Sequence, residues 1–539
     1  MAAYPHIDIV MRGEPEATVM ELTGLLADAP LQTRRGFLDD VLQPVLGITY
    51  RREGKVTVNP DRPLIPNLDD LPMAASAYYG EIIRRASEQT RGLRYLSVEE
   101  HVHVEAGRGC PFPCTFCSNV YLWRRRYRLK SPERIVAEMR LYHEEYGARQ
   151  FLLHQQLFTV NKAKTRAFCE TLIAADLPVE WSCFTRSDCV DPEMLTLMKR
   201  SGCNTVLFGV ESGAQEIQDV VRKKTDVNRV SEQIALTMKH GIKPQLSYIL
   251  GFPEETPENL QATVDMYFRY KFADGVESQL GLLVPAGGTE VLTQNLNDLA
   301  FDGVQTTTWY TRFFDDTGYD EMGSLPLVFP HNHYVKSTQN PRELLLFVKC
   351  FDMAASYLTR ACQYAVTRGL LGMPFQAWEQ YQQWRQGLDP AQTRARGWGG
   401  RLTWDTPVAA IIRDFAQFLS EVIAPTDNDP AVLASLVSYE EAAALVNLRL
   451  REANWDQLCA AVPPGDDSNP VTPEHQQLDF ATSYALDALE AHLDGNPLPP
   501  AATHANTYTA AGDSQLRLVT VSDGGTVRRR FPVFRQIEF

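Results

Sequence analysis

The sequence predicts an α/β chain whose central part is a partial (β/α)6 barrel, open on one side, followed by a mainly helical C-terminal cap. Three observations carry this reading. Short apolar runs alternate with helix-length segments from residue 101 to 291, the pattern of a parallel sheet covered by helices. Helix signals punctuate the alternation: Ser131-Pro132, Asn161 and Asp191-Pro192 stand at starts, Gly202 and Gly241 at ends. Beyond residue 292, "RELLLFVKCFDMAASYLTRACQYAV" (342–366) and "VAAIIRDFAQFLSEVIA" (408–424) space their apolar residues for helices.

In order, the strands are "HVHVEA" (101–106), "RQFLLH" (149–154), "VEWSCFTR" (179–186), "TVLFGVES" (205–212), a run within "KPQLSYILGFPEE" (243–255) and one within "VESQLGLLVPAGGTEV" (276–291). The helices begin at Ser131, Asn161, Asp191, Asp226 and Thr256. The barrel unit spans 95–291, and 292–539 forms the C-terminal domain. There, the Trp- and Tyr-rich stretch 376–400 is expected to serve helix packing, with the wall of a substrate pocket as the alternative, and 439–462 is a further helix. A terminal β hairpin is expected around Asp523-Gly524-Gly525. Sites of such barrels lie at the C-terminal strand ends, where the loop after the first strand, His154, Arg186, Glu211 and Gly251 all fall.

Composition narrows the function. A net charge of −15 over 539 residues argues against a nucleic-acid binder; the basic run Arg124, Arg125, Arg126 and Arg128 is local. No apolar run reaches ~18 residues, and the N-terminus shows no basic-then-apolar signal pattern, so no membrane association is expected. Ten cysteines, seven of them scattered, fit a reducing cytoplasm rather than a disulfide scaffold. Oligomeric state is not legible.

The remaining three cysteines carry the chemistry. "RGCPFPCTFCSN" (108–119) sets Cys110, Cys114 and Cys117 at C-x3-C-x2-C in a turning loop rich in Gly and Pro. Zinc with a fourth ligand from elsewhere is one reading. An iron–sulfur cluster is the better one, with three thiolates leaving one iron of a [4Fe–4S] cube open.

This motif, with Phe116 before its last cysteine, resembles the signature of the radical S-adenosylmethionine (SAM) enzymes. The resemblance implies that Cys110, Cys114 and Cys117 hold a [4Fe–4S] cluster and that SAM takes the open iron. "LWRRRYRLKSPERIVAEM", "VEWSCFTRSDCVDPEMLTLMKRSGCNTVLFGVESGAQEI" and "ILGFPEETPENL" look like the members with an N-terminal cobalamin (B12) domain. Residues 1–75 then resemble a remnant of that α/β domain: its last strand and helix, a possible hairpin within 48–58, and a linker. Other roles carried over are Phe116 against adenine, Glu211 and Ser212 at the ribose or methionine, Arg186 at the SAM carboxylate, and Ile249 and Leu250 as the apolar face toward adenine. For each a plain structural role stands beside the functional one: loop packing for Phe116, a strand-end ion pair for Glu211, barrel core for Ile249 and Leu250.

Two departures stand out. The subfamily shows an acidic pair after strand two where this chain has Gln155 and Gln156; either amide oxygen would accept from the SAM ammonium without charge assistance. His154 beside them is a candidate proton donor or acceptor, or a strand-end histidine. The D-x-H-x-x-G cobalamin motif is absent, and 1–75 holds about one βα unit, so the chain alone is expected to bind cobalamin weakly or not at all. The resulting expectation is a radical SAM enzyme that functionalises an unactivated C–H bond of a small-molecule or peptide substrate, probed against two alternatives: a cobalamin-dependent C-methyltransferase, and an iron–sulfur redox or sensing protein. A one-electron reductant such as flavodoxin or ferredoxin is the implied partner.

Overall fold

A computed structural model describes residues 4–27, 41–52, 54–73, 102–303, 316–388, 408–459, 477–482, 489, 504–510, 515–522 and 525–532. Residues 95–101, the aromatic-rich stretch beyond 388, residues 460–462 of the expected last helix and the Asp523-Gly524 turn lie outside them.

Six strands form one parallel sheet: β1 (Val102–Glu105), β2 (Gln150–His154), β3 (Glu180–Thr185), β4 (Cys203–Glu211), β5 (Lys243–Leu250) and β6 (Glu277–Leu282). Each pairs in parallel with its neighbour in sequence, and β1 and β6 are the two edges. The arc is therefore an open six-stranded partial barrel.

The helices that return the chain are α1 (Pro132–Tyr146), α2 (Lys162–Ala175), α3 (Pro192–Arg200), α4 (Val227–Lys239) and α5 (Pro257–Lys271). All five start on a side-chain cap: Ser131, Asn161, Asp191, Asp226 and Thr256 each accept from a backbone N–H of the first turn. Period-two alternation fixes the faces. Val102 and Val104, Phe151 and Leu153, Trp181 and Cys183, and Leu246, Tyr248 and Leu250 are buried under the helices. The intervening residues face the barrel lumen. Phe158, Phe168 and Trp181 meet edge to face at 5.3–5.8 Å in this outer layer.

The C-terminal helices Arg342–Tyr357, Thr359–Thr367, Phe375–Gln386, Val408–Phe418 and Pro430–Cys459 pack beside the barrel. Asp352 ties them to α5: it accepts from Tyr267, and Lys271 Nζ lies 3.1 Å from its Oδ1. Burial opposes the Asp352 charge, but Lys271 and Lys349 outweigh it and hold the carboxyl below its usual range. At the end of the chain the structure departs from expectation. The hairpin Gln515–Ser522/Gly525–Pro532 is extended by Gln477–Thr482 and His504–Ala510 into a four-stranded antiparallel sheet.

The described residues of 4–73 include a helix, Glu16–Ala27, and a three-stranded antiparallel sheet of Ile9–Met11, Ile48–Arg52 and Lys55–Val58. This unit is latched to the barrel. The Arg108 guanidinium, 7 % exposed, donates to Glu14 at 2.9 Å, Glu16 at 2.5 Å and Glu105 at 2.7 Å. Among the described residues, no helix is long and apolar enough to cross a membrane.

Candidate active site

The loop after β1 is pinned at its base by a short antiparallel ladder, Gly107–Arg108 against Arg128–Leu129. Gly109 follows at φ +82°, and a Cβ there would stand 1.9 Å from the Arg126 carbonyl oxygen, so no other residue fits. Cys110, Cys114 and Cys117 then line one cavity of about 400 Å³ at the C-terminal ends of the strands. All three are free thiols. Burial raises the Cys114 thiol to about 11, against the pull of Lys223. Asn119 Nδ2 lies 3.4 Å from Cys117 Sγ as a donor.

These residues fit an iron–sulfur cube. A cube takes one thiolate on each of three irons, so the sulfurs stand apart around it rather than converging on a point. Lys223 and Arg186 on the same wall offset the negative charge that three thiolates would bring.

Glu211 ends β4 at φ +68°, a left-handed conformation that is costly for a residue with a Cβ. Its Oε1 accepts from Lys223 Nζ at 2.6 Å, and both side chains are nearly buried. The ion pair requires Gly209, where a Cβ would come within 2.4 Å of Glu211 Oε1. Glu211 Oε2 has no partner among the described residues.

Arg186 lines the cavity but its fork is engaged. Nε and Nη2 donate to the two Asp188 oxygens at 2.9 and 2.7 Å, Nη1 donates to the Lys223 carbonyl at 2.6 Å, and the guanidinium lies 4.0 Å from the Phe112 ring centre. The bidentate acceptor is thus internal. Gln155 is engaged too: Nε2 donates to the Gly109 carbonyl at 3.0 Å and Oε1 accepts from the Leu157 amide at 2.8 Å. Gln156 Oε1 accepts from the Gly109 amide at 3.1 Å. Both glutamines grip the cysteine loop, and each amide oxygen has one of its two lone pairs in use. His154 pairs Nε2 with His103 Nδ1 at 2.8 Å, and burial lowers its pKa.

Three residues carried over by resemblance do not line the cavity. Ser212 is fully buried behind the sheet, its Oγ bonded to Thr263 Oγ1 at 2.9 Å. Leu250 shares the parity of Leu246 and Tyr248 and packs into the helix-covered core. Ile249 packs with Phe252 in a small apolar cluster at the barrel mouth; Phe116 joins that cluster, 5.6 Å from Phe252, and also lines the cavity.

Other lining residues are Phe112, inside the cysteine motif, Lys223, and the neutral polar Gln245, Ser247 and Gln279 on the lumen faces of β5 and β6. Ser247 and Gln279 stand directly opposite in register. The signal for the latter group was the alternation of Gln245 and Ser247 with buried Leu246 and Tyr248. Lys223 sits in a loop and left no periodic trace.

Residues 104–267 match the Radical SAM superfamily, a superfamily whose chemistry implies a [4Fe–4S] cluster and SAM. The chain is 30 % identical to an uncharacterized methyltransferase of Pyrococcus horikoshii over 54 % of this chain and 58 % of that one. It is 30 % identical to the anaerobic magnesium-protoporphyrin IX monomethyl ester cyclase of Rubrivivax gelatinosus over 49 % of this chain and 45 % of that one. The chain thus spans about half the length of these relatives. In fold it resembles the cobalamin-dependent S-adenosylmethionine radical enzyme OxsB with aqua-cobalamin bound, at TM-score 0.48 and 14 % identity, covering 85 % of this chain and 66 % of that one.

Proposed function

We propose that this chain cleaves SAM reductively and functionalises an unactivated C–H bond of a small, largely uncharged substrate held in the barrel lumen. The observation that supports it is the convergence of three free thiols and the Glu211–Lys223 pair on one cavity at the strand ends. A reduced [4Fe–4S] cluster with SAM supplies hydrogen-atom abstraction when bound.

The chain's own residues then have distinct tasks. Cys110, Cys114 and Cys117 are the ligands. Glu211 Oε2 accepts from the SAM amino or ribose group while Lys223 fixes the carboxylate. Phe116 provides an apolar surface for adenine. Gln245, Ser247 and Gln279 orient substrate through neutral hydrogen bonds, and Phe184 and Leu207 exclude water beside them. His154, backed by His103, is placed to hold or take a proton from the substrate. Both cations on the cavity wall are already paired internally, which favours a neutral substrate over a carboxylate or phosphate.

The test is anaerobic reconstitution followed by reduction with dithionite in the presence of SAM. Release of 5′-deoxyadenosine and methionine supports the proposal; a fully loaded protein that leaves SAM intact refutes it. A second reading is C-methyl transfer assisted by cobalamin; the methyltransferase relative supports its methyl-transfer part. Methyl-labelled SAM separates the two, since only the second puts label into product.

A further inference from the structure

Six non-glycine residues have positive φ among the described residues, and four are basic: Arg124 at 49°, Arg125 at 58°, Arg222 at 56° and Lys224 at 57°. Left-handed backbone is unfavourable for residues with a Cβ, so such conformations persist only where the surroundings enforce them. All four lie in two turns that flank the cysteine loop. Arg125 Nε donates to the Pro111 carbonyl at 3.0 Å, inside that loop, and the neighbouring Arg126 carbonyl abuts Gly109. The second turn is joined to the loop where the Thr115 amide donates to the Val221 carbonyl at 3.1 Å.

Between the turns runs the short helix Ser118–Leu122, which begins one residue after Cys117. It leaves Tyr121 67 % and Leu122 38 % exposed. Arg124 pairs with Asp61 and Arg222 with Glu290. Arg126 and Lys224 are exposed, and their side chains have no partner among the described residues. This face, around the exit of the cysteine loop, therefore exposes an apolar pair together with unpaired cations, a composition suited to a protein contact surface. The chain as a whole carries −15. An acidic protein is repelled by most of such a molecule and is attracted where the sign reverses locally.

We propose that this face docks an acidic one-electron carrier protein, with Tyr121 and Leu122 as the apolar contact and Arg125, Arg126 and Lys224 as the steering cations. The proposal rests on the radical SAM reading, which requires an electron from outside. One electron leaves the carrier, which is oxidised by one unit, and one enters the centre held by Cys110, Cys114 and Cys117; no bond or proton changes place. These cations suit a weak, salt-sensitive encounter, as electron-transfer partners form.

The test uses flavodoxin as the carrier and the full chain. Calorimetric titration of flavodoxin against the loaded protein gives the affinity. 5′-Deoxyadenosine formation is measured in parallel with flavodoxin hydroquinone and with dithionite, which needs no docking. The Arg126→Glu/Lys224→Glu double variant is expected to lower affinity about tenfold and to slow the flavodoxin-driven rate accordingly. Its dithionite-driven rate stays at the wild-type level, and added salt weakens the wild-type complex. An unchanged affinity in the double variant overturns the proposal, as does a wild-type affinity insensitive to salt or a homodimer that buries Tyr121. Failure of dithionite-driven cleavage in the wild type counts against the functional reading instead, and the titration still decides the docking surface.

Discussion

Gln155 donates from Nε2 to the Gly109 carbonyl at 3.0 Å, across the mouth of the barrel. Gln156 takes the Gly109 amide from the other side at 3.1 Å. Two consecutive glutamines thus hold the peptide that leads into Cys110. Only an amide can make the first bond, because an ionised carboxylate has no proton to donate. Gln155 is 1 % exposed, so Gln155→Glu sets a buried carboxylate against a carbonyl. The expected cost is about 1–3 kcal/mol, with faster loss of iron on anaerobic desalting than in wild type. Thermal unfolding and iron assay check both; unchanged values would make the clamp dispensable.

The Glu211–Lys223 pair predicts strong coupling. Lys223→Met leaves a nearly buried carboxylate without its cation and is expected to destabilise the chain by about 3 kcal/mol. Adding Glu211→Gln should recover part of that loss, a non-additivity that a double-mutant cycle measures. Gly209→Ala should act like Lys223→Met, because its Cβ would intrude to 2.4 Å from Glu211 Oε1 and 2.9 Å from Lys223 Nζ. Glu211→Ala should weaken SAM binding by ~1–3 kcal/mol. Equal SAM affinity in wild type and Glu211→Ala would leave Glu211 a purely structural role.

The three loop cysteines should behave as one unit. Cys114→Ala should lose the full complement of about four irons and four sulfides, since one corner has no thiolate. Cys350→Ala, in the core of the cap, should retain it. Quantitative iron and sulfide analysis after anaerobic reconstitution distinguishes the two, and a full cluster in Cys114→Ala is incompatible with the assignment.

The barrel was legible because its signals are local. Ser131, Asn161 and Asp191 cap helices where their side chains must, and each strand is a short apolar run. The cysteine loop was legible because no packing role needs that spacing. What stayed hidden is long-range. Arg186 ends β3 as expected, but nothing in the chain order says that Asp188 and the Lys223 carbonyl occupy its fork. The latch from Arg108 to Glu14 and Glu16 spans more than ninety residues. Strands Gln477–Thr482 and His504–Ala510 were missed because "QLDFAT" and "HANTYTA" are polar and alternate weakly. Leu250 takes the barrel-core role of the two open to it, since one step of alternation moves a side chain from the lumen to the helix-covered face.

Glu255 gives a pH prediction. It is fully buried beyond β5, where Oε2 accepts from the Gly251 amide at 2.8 Å and Oε1 is buried without a partner. Burial pushes its carboxyl from 4.5 up to about 8, against the lowering effect of that one hydrogen bond. The folded chain keeps a proton that the unfolded chain releases between those two values. Stability therefore falls as pH rises through this window, by about 1.4 kcal/mol per pH unit for this group, and levels off above it. Glu255→Gln keeps the neutral shape and removes the dependence. Its melting temperature relative to wild type should climb from pH 5 to about pH 8. A constant difference across that range would show that Glu255 is ionised in the fold.

The last prediction concerns cobalamin. A corrinoid with its nucleotide tail needs a parallel sheet of several strands, with helices on both faces and a cleft between them. Among the described residues the only parallel sheet is the barrel itself, and its mouth holds the cysteine loop. Residues 4–73 supply an antiparallel three-stranded sheet and one helix, with Val10, Val56 and Val58 exposed. Such a unit is too small to bury a corrinoid, and its Glu14 and Glu16 are committed to Arg108. This polypeptide by itself is therefore expected not to retain cobalamin. Methyl transfer through cobalt would then need a corrinoid site outside these residues. The check is incubation of the anaerobic, loaded protein with hydroxocobalamin, desalting, and a visible spectrum. Stoichiometric corrinoid retained without any partner would overturn the argument and put the methyltransferase reading first.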